Sequence, residues 1–107
     1  MHNSRALAFS SGLLLSAMLA AAADLSGRVT LRGAPLAGAV VTANLIGERG
    51  PAAVTVTRTG PRGDYILRRL RNGDYILLVD MDGRRVYQGR IALTAPTLVK
   101  NVALQEK

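Results

Sequence analysis

The sequence predicts an all-β protein, a seven-stranded antiparallel β-sandwich preceded by a short leader helix. Three observations predict it. The pentapeptide Gly-Asp-Tyr-Ile-Leu occurs at residues 63–67 and again at 73–77; Gly and Asp suit turns, while Tyr, Ile and Leu suit a half-buried pleat. From Leu25 onward short runs of alternating apolar and polar residues are separated by turn signals roughly every eight to twelve residues, the spacing of sandwiches and barrels. No stretch after Ala23 carries an apolar stripe at helical spacing.

Residues 1–23 read as a signal peptide. Arg5 supplies a positive start, residues 6–19 form an apolar stretch interrupted by Ser10, Ser11, Gly12 and Ser16, and Ala21, Ala22 and Ala23 are the small residues a signal peptidase accepts. Cleavage after Ala23 is expected. The alternative is an uncleaved anchor, since residues 6–23 reach the short limit of a membrane span; their alanine-rich, serine-dotted composition is only weakly hydrophobic. The chain contains no cysteine, so it has no acceptor thiol for lipid attachment. The expected product is a domain of residues 24–107 with no stable membrane span, in the periplasm or secreted.

In strand one Leu25, Val29 and Leu31 share one parity and Ser26, Arg28, Thr30 and Arg32 the other, giving a dry and a wet side. Gly33, Ala34 and Pro35 turn it. Ala39, Val41, Ala43 and Leu45 form the inward set of strand two, and residues 47–51 a loop. In strand three Val54 and Val56 alternate with Thr55, Thr57 and Thr59, whose branched Cβ favours extended backbone and whose hydroxyls tolerate solvent. Residues 60–63 close it. Strands four and five, residues 64–68 and 74–80, carry the repeat. Two like strands in succession imply an antiparallel hairpin, joined through Leu70 and the turn Asn72-Gly73, with Tyr65, Leu67, Tyr75, Leu77 and Val79 facing the core. Asp82-Gly83 is a hairpin turn into strand six, residues 84–93. Ala95-Pro96 ends that strand, residues 98–104 form the last, and residues 105–107 a frayed tail.

Residues 24–107 suffice for one small domain that buries roughly 60 to 65% of its unfolded surface. Without disulfides its stability rests on the apolar core. Setting Arg5 aside, 13 basic residues face seven acidic ones, a net charge of about +6. A basic exported domain meets anionic envelope material first, although 12 of the chain's 14 basic residues are Arg, a pattern that compositional bias also produces.

Gly27-Arg28-Val29, the run 33–41 (Gly-Ala-Pro-Leu-Ala-Gly-Ala-Val-Val), residues 57–65 and residues 70–75 stand in order along nearly the whole domain. Together they resemble the carboxypeptidase regulatory-like domains. That resemblance implies a transthyretin-like, Greek-key sandwich, and an accessory, structural or adhesive role, with carbohydrate binding known among related sandwiches. Two relatives with defined chemistry fit poorly. The transthyretin-like hydrolases of purine breakdown use histidines and a C-terminal Tyr-Arg-Gly-Ser, whereas residues 24–107 contain no His and end Leu104-Gln105-Glu106-Lys107. Adhesin sandwiches that form an internal isopeptide use a strand-one Lys, where this chain has Arg28 and Arg32, leaving Asn101 without a nucleophilic partner.

Hydrolytic and redox enzymes need an activated nucleophile, a proton shuttle or a metal. With neither His nor Cys in residues 24–107, no catalytic residue, metal site or cofactor is expected and the domain reads as non-enzymatic. Asp64, Asp74, Asp80 and Asp82 are oxygen ligands of the type calcium takes, but Asp before Gly is ordinary turn chemistry. Three candidate contact surfaces remain. Arg68, Arg69 and Arg71, with Arg62, Arg84 and Arg85 nearby, suit an anionic glycan, a lipid head group or an acidic protein. Ile66, Ile76 and Leu78 share a parity opposite to the tyrosines and form an apolar row on the outer side of the hairpin. Tyr65, Tyr75 and Tyr87 form a sugar-stacking platform if exposed, or close the core with their hydroxyls at its rim. Few aromatic residues and export argue against nucleic acid. The reading is an exported structural or protein-interaction module of a bacterial-type envelope, with an envelope protein or anionic glycan as partner; the alternative is a carbohydrate-binding module.

Overall fold

The computed structural model describes residues 22–47 and 54–105, which form two β-sheets and no helix. Residues 1–21 of the leader, most of the loop at 47–51 and the last two residues of the tail lie outside the described residues. Strand β1 (Ala22–Leu31) takes in Ala22 and Ala23, which pair with Arg71 and Leu70, so the sheet begins two residues before Asp24.

In the first sheet β1 is central. Two strands pair with it antiparallel, β5 (Asp64–Arg71) along residues 22–28 and the two-residue β2 (Ala34–Pro35) at Thr30 and Leu31. Two more, β8 (Thr97–Val99) and β9 (Val102–Leu104), pair with it in parallel. The second sheet runs β4 (Val54–Arg58), β3 (Val40–Leu45), β6 (Gly73–Met81), β7 (Arg84–Leu93), all antiparallel. Two hairpin tips place consecutive residues at positive φ, Arg32 at 50° and Gly33 at 85°, then Asp82 at 53° and Gly83 at 77°. Tight two-residue turns of this hand match the twist of the strands they join.

The inner faces meet in one core. Leu25, Val29, Leu67, Leu77, Leu93 and Val102 are among its fully buried side chains, and Ala39 and Ala43 belong to the same cluster. Strand alternation explains the selection, because odd-numbered residues of β1 and β5 and of β3 and β6 turn the same way.

Several expectations are corrected. The repeated pentapeptides do not pair as a hairpin: β5 bonds to β1, and β6 bonds to β3 and β7. Asn72 alone joins them, turning the chain from one sheet to the other, so the repeat marks two equivalent inward faces. The last strand is interrupted at Lys100 and Asn101 and lies parallel to β1 rather than antiparallel. Strand β4 has the opposite parity to that expected. Val54 and Val56 are 57% and 56% exposed, and Thr59 is buried. The Thr59 hydroxyl donates to the Leu36 carbonyl at 2.6 Å and accepts from the Ala39 N–H at 2.9 Å, which fixes the threonine side of the strand inward.

Candidate functional site

Four strands, β1, β4, β5 and β9, line a groove of about 790 Å³ on the outer face of the first sheet. The even-numbered residues of β1, Ser26, Arg28 and Thr30, form its floor with Asp64 and Ile66 of β5 and Asn101 beside β9. Register places Ser26 opposite Ile66 and Arg28 opposite Asp64, and the Arg28 Nε donates to Asp64 Oδ1 at 2.9 Å. Ala103 lies across from Thr30, and Thr57, Arg58 and Gly60 form the rim where β4 ends. Arg58 donates to the Gly38 carbonyl at 3.3 Å. Ile66, 39% exposed, supplies the apolar part of the floor.

Beneath this floor the interruption between β8 and β9 is held by Gly27. The Lys100 N–H donates to the Ser26 carbonyl at 2.8 Å and the Arg28 N–H to Asn101 Oδ1 at 3.0 Å, so Lys100 and Asn101 straddle Gly27. A Cβ on Gly27 would overlap the Lys100 carbonyl oxygen and touch the Tyr65 ring at 3.0 Å. That carbonyl accepts the Tyr65 hydroxyl at 2.5 Å. Burial, and secondarily the nearby Tyr87, push the Tyr65 pKa up to about 12. Tyr75 is also shifted upward by burial, against the opposing charge of Arg71 and the hydrogen bond that its hydroxyl donates to the Arg71 carbonyl at 2.8 Å.

The other residues singled out from the sequence are dispersed. Arg68 and Arg69 form a bulge in β5: both fall between Leu67 and Leu70, opposite the one residue Asp24. Arg69 has φ of 60°, and its N–H donates to Asp24 Oδ1 at 3.0 Å while the Arg68 guanidinium lies 4.0 Å from Oδ2. The extra residue restores the inward phase, so Leu67 and Leu70 are both buried. Arg84 and Arg85 lie at the far end of β6, roughly 26 Å from Gly73 at about 3.3 Å per residue, and Arg85 pairs with Asp80 at 2.6 Å. They do not form one basic patch with Arg68, Arg69 and Arg71. Nor do Ile66, Ile76 and Leu78 form one row: Ile66 is on the first sheet, and Ile76 and Leu78 are on the second, with Leu78 only 8% exposed. Tyr65 and Tyr75 close the core, as one reading held, and Tyr87 packs half-buried against it opposite Val79, with its ring over Gly89. The tyrosines therefore build no exposed stacking platform.

The carboxylates are likewise separate. Asp64 faces Arg28, Asp74 faces Arg90 at 3.8 Å and Asp80 faces Arg85; among the described residues no three His, Cys, Asp or Glu side chains gather. Sequence reasoning missed the groove because its members come from distant segments. Its visible signals were the wet parity of strand one, Ser26, Arg28 and Thr30, and the outward parity of Ile66.

The family model of the carboxypeptidase regulatory-like domain matches residues 24–105. The chain belongs to that family. No curated protein matches it. Among solved structures, the regulatory-like domain is similar to the dioxygenase domain of a dioxygenase and carbohydrate-binding protein fusion from Streptomyces sp. SirexAA-E, with a TM-score of 0.63 and 17% identity over 79% of this chain and 80% of that one. A DUF3823 family protein from Parabacteroides merdae gives a TM-score of 0.58 and 21% identity, covering 80% of this chain but only 47% of its own length. A candidate carbohydrate-binding protein from Pseudomonas aeruginosa gives 0.55 and 11%, covering 81% and 90%. At these identities the likeness is one of fold.

Proposed function

We propose that this regulatory-like domain is a non-enzymatic, exported binding module that holds a glycan in the groove of its first sheet. The observation that carries the reading is the groove itself. Hydroxyl, amide and guanidinium groups from Ser26, Thr30, Asn101, Arg28 and Arg58 surround an exposed Ile66. Sugar hydroxyls call for side-chain donors and acceptors, and the C–H face of a sugar ring calls for an apolar surface; one concave site offers both. The similar Pseudomonas protein, described as a candidate carbohydrate binder, supports the same class. A domain sequence without His or Cys supports the non-catalytic reading. Export rests on Arg5, the apolar stretch 6–19 and the alanines at 21–23.

A second reading, a protein-interaction module, is favoured by a different observation. Val54 and Val56 are more than half exposed on β4, an edge strand of the second sheet, and edge strands accept an added strand from a partner. Calorimetric titration of the domain with a panel of neutral and acidic oligosaccharides separates the two. Saturable binding abolished by Ile66→Asp and unchanged by Val56→Asp is expected, with circular dichroism confirming that both variants fold. No binding to any saccharide ends the glycan reading.

A further inference from the structure

We infer that the groove selects an acidic glycan, one whose sugar carries a carboxylate, through Arg28 and Arg58. The inference rests on the groove being a glycan site and adds the charge of its ligand.

The hydrogen-bonding groups of the lining are unbalanced toward donors. Asn101 Oδ1 is already occupied by the Arg28 N–H at 3.0 Å, so Asn101 has its amide N–H groups left to offer. Ser26, Thr30 and Thr57 add hydroxyls, which accept as well as donate. Arg28 commits its Nε to Asp64 and Arg58 commits one terminal nitrogen to the Gly38 carbonyl; each guanidinium has further N–H donors beyond these. The lining side chain that accepts without donating, among the described residues, is Asp64, already engaged by Arg28, so the guanidinium and amide N–H groups outnumber the acceptors facing them. A neutral sugar, which donates as readily as it accepts, leaves such a surface short of acceptors. A carboxylate fills the deficit, because it accepts only and matches the guanidinium fork.

Position strengthens the argument. Arg28 rises from the floor at the centre of the first sheet and Arg58 from the rim at the end of β4, so a bound chain passes between cations on two different elements. The side chains of Arg28 and Asp64 are 52% and 57% exposed. An exposed ion pair is weak, so a ligand carboxylate can share Arg28 at little cost. Ile66 and Ala103 leave an apolar strip for the ring face beside the charged groups.

The test compares oligogalacturonate with its methyl ester, which keeps the saccharide and removes the charge. Expected at low salt is binding of the acid at least about tenfold tighter than the ester, a gap that narrows as salt screens the exposed cations. Arg58→Gln should weaken the acid by a larger factor than the ester and so close the gap between them, while Arg58→Lys should keep part of the preference. Equal affinity for acid and ester, or a preference untouched by Arg58→Gln, overturns the acid selectivity while the glycan reading stands. Failure of both, with no binding across the neutral and acidic oligosaccharide panel, overturns the two together.

Discussion

The Tyr65 hydroxyl reaches the Lys100 carbonyl at 2.5 Å over a residue that has no side chain, Gly27. The bond ties β5 to the break between β8 and β9 across the central strand, directly under the groove.

Gly27→Ala should therefore be costly. The added methyl meets main chain, which cannot swing aside, and the cost expected for such overpacking is ~1–3 kcal/mol. At Gly89 the obstructing atoms are the far end of the Tyr87 side chain, so Gly89→Ala should cost less. Urea unfolding of the two variants gives the ranking.

Tyr65→Phe should lower stability by ~1 kcal/mol or somewhat more, because the Lys100 carbonyl loses its partner. The same residue sets an alkaline limit. A tyrosine whose folded pKa exceeds its unfolded value contributes that stability fully below pH 10, and the contribution fades as pH rises toward about 12. Tyr75 has the same sign. Thermal melts between pH 9 and pH 12 should show falling stability in the native chain and a shallower fall in Tyr65→Phe.

Thr59→Val should cost ~1–3 kcal/mol, since the Leu36 carbonyl and the Ala39 N–H both lose a buried partner. Thr59→Ser keeps the hydroxyl and should retain most of the stability. A valine variant as stable as the native chain, measured by denaturant midpoint, would remove Thr59 as the pin of the 36–39 segment.

Arg69 and Asp24 make opposite predictions. Arg69 holds a left-handed backbone conformation that disfavours a side chain, so Arg69→Gly should raise stability by up to ~1 kcal/mol. Asp24→Ala removes the carboxylate that accepts from the Arg69 N–H and should lower it by ~1 kcal/mol. Both are read from thermal midpoints at matched salt.

Much of the fold was legible because local chemistry decides it. Leu25, Val29 and Val41 announce buried parity, and Asp82-Gly83 announces a turn. The site was less legible. Ser26, Arg28 and Thr30 advertised only a wet strand face; Ile66 and Asn101 joined them through pairings, with Ser26 and Arg28, that span 40 and 73 positions along the chain. Val54 and Thr59 were misjudged because the hydroxyl's partners at Leu36 and Ala39 lie about twenty residues away, beyond what alternation within five residues encodes.

By itself the sequence determined the extended class of each segment, the positions of its turns and the side of most strands that avoids water. These follow from side-chain shape, backbone freedom and period-two alternation, which act over a few residues. Tertiary structure alone decided that the twin pentapeptides lie in different sheets, that the final strands run parallel to β1, and that Arg28, Asp64, Ile66 and Asn101 share one groove. Which edge a strand bonds to depends on the surfaces that remain unpaired once the other strands have docked, and no local stretch of chain carries that information.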